Sequence, residues 1–317
     1  MSRRIAVVCG GRGGESDVSR TSGAQVHAAL SAGGHDCTLV EAADDLWDQL
    51  RGGGYDAAFL ALHGRHGEDG TVQGLCELLG LPYTGSDVLA SALCYDKAMA
   101  KRVLAGAGLP TPEWRLLDSE LGGTEALAAM EAAVADLGLP IVVKPVRGGS
   151  TIGLTVVRDA RDLPVAHADA AAEDQVLCET FVAGCEITVG IVGHNVPRAL
   201  PTLEIVSHRP LYDYAAKYTP GQSEHIIPAR LPEAQREAAQ ATALAAHLAL
   251  GCRDMSRVDL IVDAAGTPWV LEVNSIPGLT ELSLLPDAAR AAGISFAGLC
   301  EQLVESACLR AAGRPPS

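Results

Sequence analysis

The stretch RVDLIVDAAGTPWVLEVNSIPGLTELS, residues 257–283, decides how this chain can fold. Two apolar runs flank Ala-Ala-Gly-Thr at 264–267, which is typical of the loop that joins two antiparallel strands. Because side chains alternate between the two faces of a strand, a hairpin symmetric about this loop collects four polar residues on one face. They are Arg257, Asp259, Glu272 and Asn274. The opposite face is predicted to be buried and to consist of Val258, Leu260, Leu271 and Val273.

The predicted hairpin sets Asp259 directly opposite Glu272. Two carboxylates in directly opposed positions repel each other, so such a pair is kept most readily when a cation lies between them. Side chains of Asp, Glu and Asn offer hard oxygen ligands, which suit Mg²⁺ or Mn²⁺ and argue against zinc. The sequence therefore predicts a divalent metal site here, with a solvated sheet face that carries scattered charges as the alternative.

The composition narrows the class of protein. A chain of 317 residues is long enough for two or three domains, and 48% hydrophobic residues allow a full core. The formal net charge of −15 argues against a nucleic-acid or anionic-membrane surface. No apolar run is long enough for a transmembrane helix, and the one near the N-terminus is too short for a signal peptide. Nine cysteines without a C-x-x-C spacing predict neither a zinc site nor a redox dithiol, and they suit the cytoplasm.

Lysine is scarce in this chain, which makes its positions informative. Only four of the 24 basic residues are lysines, namely Lys97, Lys101, Lys144 and Lys217. A lysine offers a compact ammonium group, which suits contact with a nucleotide phosphate. Lys144 interrupts an apolar strand, so its charge must meet a partner or face a cleft. Each lysine is therefore a candidate for such a contact.

The N-terminal part is predicted to form a parallel α/β domain. Strands are expected at 5–9, 37–41 and 56–62, with a helix from about residue 19 to residue 30 between the first two. The glycine-rich turn after the first strand is not a dinucleotide-binding motif, because Ser16 replaces the third glycine of G-x-G-x-x-G. No P-loop motif occurs anywhere in the chain.

Two polar segments follow strands of this domain. The first is expected to place Glu15 at the carboxyl edge of the sheet, where ligands of open α/β sheets bind. The alternative is that Glu15 only complements the dipole of the following helix. The second segment, HGRHGEDG at 63–70, begins with His63 and is a second candidate ligand loop.

The remainder of the chain combines helices and strands in two further domains. Helices are predicted from about residue 86, over 126–140, over 236–251 and in the tail from residue 294. Strands are predicted on both sides of a glycine-rich turn within 141–157 and again over 176–193. The turn at 148–153 offers N–H groups that could cradle phosphates. The polar aromatic loop at 211–218 is unusual in a chain with only 4% aromatic residues.

Together, these segments resemble the D-alanine–D-alanine ligases of the ATP-grasp superfamily. The motifs that carry the resemblance are GGRGGESDVS, HGRHGEDG, GLPYTGS, VVKP followed by GGSTIG, YDYAAKY, and RVDLIVD with LEVNSIPGLTELS. They lie in collinear order over nearly the whole chain. The resemblance implies an ATP-grasp fold, in which a parallel α/β domain at 1–96 precedes two α+β domains that clasp the nucleotide. The central domain is expected at 97–184 with a glycine lid, and the C-terminal domain at 185–317 with the metal site.

The resemblance also implies which residues hold the nucleotide. Two Mg²⁺ ions, or Mn²⁺ in their place, would bridge the ATP phosphates through Asp259, Glu272 and Asn274. The phosphate-facing lysines would be Lys97, Lys144 and Lys217. The adenosine pocket would be formed by Glu179, Phe181, Val182 and Glu186, with Leu211 at its wall.

The substrate residues follow in the same way. By resemblance, Glu15 pairs with the ammonium of the first D-alanine, beside Val18 and His63. Ser150, Tyr218 and Glu15 would form a hydrogen-bonded trio that links the closing loops to this substrate. Arg257 and the backbone of Gly278 would hold the oxyanion. The carboxylate of the second substrate would be bound by Ser283 and Leu284.

The activity implied is the ATP-dependent joining of two D-alanine molecules through an acyl phosphate, for peptidoglycan precursor synthesis, by a cytoplasmic homodimer. Departures from the family pattern, such as Leu211 in place of Phe and Thr151 in place of Ser, bear on substrate preference. One alternative is a related ATP-grasp ligase of specialised metabolism or antibiotic self-resistance that joins another D-amino acid. A catalytically silent nucleotide-binding scaffold is a third interpretation, against which the paired carboxylates argue.

Overall fold

Three β-sheets organise the fold. The computed structural model describes residues 2–12, 14–118, 120–149, 151–207 and 223–312. Within these ranges the first sheet is parallel and the other two are antiparallel. No helix in the same ranges combines the length and the apolar composition needed to cross a membrane.

The first sheet has the strand order β2-β1-β3. Its strands are β1 (Arg4–Cys9), β2 (Asp36–Glu41) and β3 (Ala57–Leu60). The accompanying helices are α1 (Ser16–Ala32), α2 (Leu46–Gly52) and α3 (Thr71–Leu79). Residues 5–8 of β1 are fully buried, as expected for a parallel strand covered on both faces. The prediction of a parallel α/β domain is confirmed.

Two helices, rather than one, form the stretch that was predicted to be helical from about residue 86. They are α4 (Val88–Tyr95) and α5 (Lys97–Gly106). Asp96 separates them because its backbone is extended and its carboxylate accepts a hydrogen bond from the Met99 N–H at 2.9 Å, which caps α5. This cap places Lys97 in the first turn of α5, at the edge of the cleft described below.

The second sheet has the strand order β4-β7-β5-β6. Its strands are β4 (Trp114–Leu116), β5 (Ile141–Pro145), β6 (Thr155–Val157) and β7 (Val176–Thr180). Helices α6 (Gly123–Leu137) and α7 (Leu163–Ala171) pack against it. Helix α6 ends at Leu137 because Gly138, which was expected to end it together with Pro140, takes a φ of +75°.

The third sheet has the strand order β11-β10-β8-β12-β13, and β9 pairs with β8. Its strands are β8 (Gly184–Gly193), β9 (Arg198–Ala199), β10 (Leu203–Ser207), β11 (Ser223–Ile226), β12 (Asp254–Asp263) and β13 (Pro268–Asn274). Helix α8 (Glu233–Ala249) packs on this sheet through a stripe of buried alanines.

The β12–β13 hairpin has the predicted register only at its polar end. Asp259 pairs with Glu272, but a β-bulge then shifts the pairing by one residue, so that Leu260 lies opposite Val270. The prediction that Leu271 lies on the buried face is therefore wrong. Val270 is 0% exposed and takes the buried position, whereas Leu271 lines the cleft beside Glu272.

The C-terminal end of the chain returns to the first sheet. Helices α9 (Leu284–Ala291) and α10 (Phe296–Ala312) share a hydrophobic core with β1 and β3. Arg310 of α10 forms an ion pair with the buried Asp254 of β12, whose carboxylate also accepts a hydrogen bond from the Gly85 N–H at 3.0 Å. One core therefore joins residues of the predicted first and third domains.

All nine cysteines are free thiols. The six that are buried are Cys9, Cys76, Cys94, Cys178, Cys252 and Cys300. They are distributed over all three of the larger hydrophobic cores.

Candidate active site

A cleft with a cavity volume of about 120 Å³ lies between the second and third sheets. From the second sheet and the adjacent glycine-rich segment, its walls include Lys144, Pro145, Gly148, Gly149, Thr151, Ile152 and Leu154. From the third sheet, they include Glu186, Ile205, Asp259, Leu271 and Glu272, and Lys97 of α5 completes the lining. The cleft therefore brings together four of the predicted phosphate-binding or metal-binding residues, namely Lys97, Lys144, Asp259 and Glu272.

The two carboxylates of Asp259 and Glu272 form an acidic corner of this cleft. Asn274 donates from its amide nitrogen to Asp259 Oδ2 at 3.2 Å and to Glu272 Oε1 at 3.4 Å. Arg257 pairs with Asp259 through Nε at 2.8 Å and Nη2 at 2.6 Å. Thr188 donates to Asp259 Oδ1 at 2.6 Å. Donors therefore surround the corner and offset the repulsion between the two carboxylates.

The donor chemistry of this corner fits a hard divalent cation. Both carboxylates point oxygen atoms at the same amide group of Asn274, and rotation of that amide would present its oxygen to the same point. Among the residues described, no group of three or more His, Cys, Asp and Glu side chains is arranged to hold a metal ion. The fit therefore depends on Asn274 as the third ligand, beside Asp259 and Glu272.

Two lysines face the acidic corner from the other side of the cleft. The Lys97 ammonium lies 3.7 Å from Glu272 Oε2 and donates to the Gly148 carbonyl at 2.7 Å. Burial lowers the pKa of Lys97 below its ordinary value, although the Glu272 carboxylate opposes that shift. Lys144 lies on β5 and contacts Glu179 Oε1 at 2.5 Å. These two cations are placed to receive a polyanion.

The residues predicted to form the adenosine pocket lie around the junction of β7 and β8. Glu179 is buried, and its carboxylate contacts the side chains of Lys101 and Lys144. Phe181 packs against the guanidinium of Arg158, which lies 5.0 Å from the ring centroid, and Val182 follows it. Glu186 lines the cleft. The predicted residues Leu211 and Lys217 lie outside the described part of the chain.

The predicted substrate residues of the first domain converge on the glycine-rich segment. Glu15 lies so close to Gly149 that a Cβ built there would be 3.0 Å from Glu15 Oε1. His63 Nδ1 lies 3.6 Å from Glu68 Oε1, and its Nε2 lies 3.4 Å from Ser22 Oγ. Val18 is half-buried on α1, beside this group. Ser150 and Tyr218, the other members of the predicted trio, lie outside the described residues.

The turn after β13 holds the remaining predicted residues. Ser283 Oγ accepts a hydrogen bond from the Thr280 N–H at 3.1 Å, and a Cβ built at Gly278 would lie 3.0 Å from the same oxygen. Leu284 begins α9 and is 8% exposed. The turn is tied to α1 because the Glu281 N–H donates to Gln25 Oε1 at 2.7 Å. It therefore stands between the acidic corner and the first domain.

Two charged residues near the site, the half-buried Glu68 and the buried Lys101, have no role in the site implied by the family resemblance. Glu68 lies behind His63, and burial raises the pKa of its carboxyl group although the contact with His63 opposes this. Lys101 forms an ion pair with Glu179 at 2.8 Å. The scarcity of lysine pointed to Lys101. Its partner Glu179 could not be predicted, because the sequence around Lys101 shows only an apolar helical pattern.

Solved structures share this fold. The D-alanine–D-alanine ligase from Bacillus anthracis complexed with ATP superposes with a TM-score of 0.83 at 32% identity, over 98% of this chain and 99% of that one. The VanG D-Ala:D-Ser ligase from Enterococcus faecalis gives a TM-score of 0.83 at 29% identity, over 97% and 100% of the two chains. The fold and the cleft therefore define an ATP-grasp ligase.

Sequence comparison identifies the family. Family models described as D-ala D-ala ligase N-terminus and D-ala D-ala ligase C-terminus match residues 47–86 and 103–305. The D-alanine–D-alanine ligase from Desulforudis audaxviator is 50% identical over 309 residues, which are 97% of this chain and 99% of that protein. The corresponding ligase from Pelotomaculum thermopropionicum is 47% identical, with 97% of each chain covered. The chain belongs to the D-alanine–D-alanine ligase family.

Proposed function

We propose that this protein uses ATP to join two molecules of D-alanine into D-alanyl-D-alanine, which supplies a precursor of peptidoglycan. The carboxylate of the first D-alanine attacks the γ-phosphorus of ATP, so that ADP leaves and an acyl phosphate forms. The amine of the second D-alanine then attacks the acyl carbon, and phosphate and a proton are released as the peptide bond forms. The observation that carries this proposal is the acidic corner of Asp259 and Glu272, which faces Lys97 and Lys144 across one cleft.

Charge neutralisation is the first task of the site, because a carboxylate must approach a polyphosphate. Lys97 and Lys144 are proposed to bind the phosphates, with Lys217 as a third lysine. Mg²⁺, or Mn²⁺, would withdraw charge from the phosphoryl oxygens when held by Asp259, Glu272 and Asn274. Glu179, Phe181, Val182, Glu186 and Leu211 are proposed to bind the adenosine.

The first D-alanine is proposed to bind with its ammonium against Glu15, beside Val18 and His63. Support comes from the position of the Glu15 carboxylate, which lies against Gly149 and Gly64 and so is shared by two ligand loops. Ser150 and Tyr218 are proposed to complete the hydrogen-bonded trio with Glu15.

The second step needs stabilisation of the tetrahedral oxyanion and capture of the second substrate. Arg257 and the backbone N–H of Gly278 are proposed to bind the oxyanion, and Ser283 and Leu284 to bind the carboxylate of the second D-alanine. Arg257 pairs with Asp259 in the structure. When Asp259 serves as a metal ligand, the Arg257 guanidinium would bind the oxyanion instead of this carboxylate.

Water must be excluded, because an acyl phosphate hydrolyses. The glycine-rich segment 148–153 and the loop 211–225 are proposed to cover the reacting atoms. The proposed domains, 1–96, 97–184 and 185–317, would supply the substrate loop, the glycine lid and the metal corner. We also propose a cytoplasmic homodimer, since the reaction consumes ATP and the family implies that assembly.

An assay of ADP release against a panel of D-amino acids tests the substrate. We expect turnover with D-alanine alone and a dipeptide product with the mass of D-alanyl-D-alanine. Mixtures of D-alanine with D-serine are the informative comparison, because VanG is a D-Ala:D-Ser ligase. A clear preference for a mixed product would favour the alternative, a ligase of specialised metabolism or self-resistance. ATP hydrolysis without any dipeptide would contradict both.

A further inference from the structure

Lys101 is a buried cation that does not line the cleft. It lies on α5 and is 1% exposed. Its ammonium nitrogen lies 2.8 Å from Glu179 Oε2 and donates to Thr111 Oγ1 at 2.9 Å and to the Pro112 carbonyl at 3.1 Å. These contacts match the three N–H groups of an ammonium. Lys101 can therefore act on the nucleotide site only through its neighbours.

Glu179 is shared between two lysines. Its Oε1 lies 2.5 Å from Lys144 Nζ, and its Oε2 faces Lys101. A pair of Lys144 and Glu179 alone would be neutral, whereas the group of three carries a net charge of +1. Lys101 therefore leaves Lys144 with an effective positive charge toward the cleft, where a polyphosphate would otherwise meet a neutral pair.

The ionisation of this group is consistent with its geometry. Burial alone would raise the pKa of Glu179, but the ammonium groups of Lys101 and Lys144 outweigh it, so the pKa lies below its ordinary value. Burial lowers the pKa of Lys101, and the Glu179 carboxylate opposes that shift. The carboxylate between the two lysines is therefore ionised at neutral pH.

The same network reaches the strand that carries Glu272. Thr111 Oγ1 accepts from Lys101 and donates to the Val270 carbonyl at 2.9 Å. The Val270 N–H donates to the Pro110 carbonyl at 2.8 Å. Val270 lies at the β-bulge, two residues before Glu272. Lys101 thus stands at the junction between the lysine side and the acidic side of the cleft.

We propose that Lys101 is a positioning residue for the nucleotide: it holds Glu179 so that Lys144 faces the cleft, and it gives the group of three residues its net positive charge. This inference rests on the proposed function, because it assigns Lys144 to the nucleotide. It adds a fourth lysine to the three that the family resemblance implied, in a role that involves no contact with ATP.

Nucleotide titration and steady-state kinetics test the inference. We expect Lys101→Met to raise the dissociation constant for ADP with Mg²⁺, and KM for ATP, by about tenfold or more, because a charged hydrogen bond is lost. KM for D-alanine and kcat should change by less than about twofold, since the substrate loops are untouched. Lys101→Arg should restore part of the affinity. Thr111→Val, which keeps the charge but removes the oriented partner, should raise the ADP dissociation constant by about threefold.

Thr84→Val is the matched control. Thr84 is buried in the first domain and its Oγ1 accepts from the Leu60 N–H at 3.0 Å, so its loss should lower thermal stability and leave ADP affinity unchanged. Unchanged ADP affinity in folded Lys101→Met would overturn the inference, and Thr111→Val decides in the same way if Lys101→Met does not fold. A wild-type protein that binds ADP but forms no dipeptide would contradict the proposed function and leave this inference standing.

Discussion

Lys97 connects the acidic corner with the glycine-rich segment, because its ammonium nitrogen lies 3.7 Å from Glu272 Oε2 and 2.7 Å from the Gly148 carbonyl oxygen. The Lys97 side chain therefore contacts both the acidic corner of the cleft and the glycine-rich segment 148–153. The cap of α5 at Asp96 holds this lysine in place.

Lys97→Met should loosen this connection. We expect KM for ATP to rise by about tenfold or more, because a buried charged contact is lost. Trypsin cleavage after Arg147 should also become faster, since the adjacent Gly148 carbonyl loses its ammonium donor. Arg102→Met, an exposed position on the same helix, is the control. Unchanged cleavage after Arg147 would contradict the connection.

Glu272→Gln tests the acidic corner. Removal of one carboxylate should lower kcat on the order of 100-fold or more, because the proposed ligand set loses a charge. The measurement is ADP release at saturating D-alanine over a range of Mg²⁺ concentrations. Glu237→Gln, an exposed position on α8, should retain wild-type turnover. Turnover of Glu272→Gln near that of the control would mean that the corner does not serve catalysis.

Gly149→Ala tests the approach of the glycine-rich segment to Glu15. The added methyl carbon would lie 3.0 Å from Glu15 Oε1, so the carboxylate must move away from its present position. We expect KM for D-alanine to rise by about threefold to tenfold, with little change in ADP affinity. Gly106→Ala adds a methyl group into open space and serves as the control. Equal KM values for the two variants would refute a role of this contact in substrate binding.

His247 predicts a pH dependence of stability. It is 1% exposed, contacts Ser256 Oγ at 2.7 Å, and burial lowers its pKa to about 4. The unfolded chain therefore takes up this proton below about pH 6.5, while the folded protein does so only below about pH 4. Stability should fall by about 3 kcal/mol as the pH drops through that window.

Urea unfolding of wild type and His247→Gln at pH 7 and pH 4.5 measures this effect. The variant should be less stable at pH 7, because it loses a fitted buried side chain, but its stability should fall less on acidification. Other carboxylates titrate in both proteins, so the difference between the two proteins isolates the histidine. Parallel losses in the two proteins would contradict the assignment.

Arg310→Met tests the ion pair between α10 and β12. Asp254 is 1% exposed, and loss of Arg310 leaves its buried carboxylate without its main cationic partner. We expect the free energy of unfolding to fall by about 3 kcal/mol. The control, Arg161→Met, removes an exposed ion pair with Asp159 and should cost less than about 1 kcal/mol. Similar losses for the two variants would contradict a structural role for Arg310.

Local patterns in the sequence were sufficient to predict the polar face of the hairpin. Alternation alone predicted that Asp259 faces Glu272, because the pairing from Arg257 to Asp259 is regular. Alternation gave the wrong face for Leu271, because the β-bulge depends on backbone contacts that the pattern of side chains does not reveal. The segment 110–112 supplies such contacts to Val270 from outside the hairpin.

Long-range partners were the harder part of the site. Lys101 lies in a regular helix, and its partner Glu179 is far away in sequence, so no local pattern connects them. Similarly, Arg310 lies in a helix that is amphipathic by sequence, yet it pairs with Asp254 of β12 and donates to the Tyr83 carbonyl of the first domain at 2.7 Å. Periodicity reveals which face is buried, but not which charged group on another element it meets.

The buried cysteines are distributed over the three larger hydrophobic cores, so their reactivity can be used to measure local opening of each core. Cys300 and Cys76 lie in the core of the first sheet, Cys178 in that of the second, and Cys252 in that of the third. A thiol-selective alkylating reagent reaches such groups only when they become transiently exposed. The alkylation rate at each cysteine therefore measures how often the hydrophobic core around it opens locally. Mass spectrometry of the labelled peptides, with and without nucleotide, would then map where ligand binding tightens the protein.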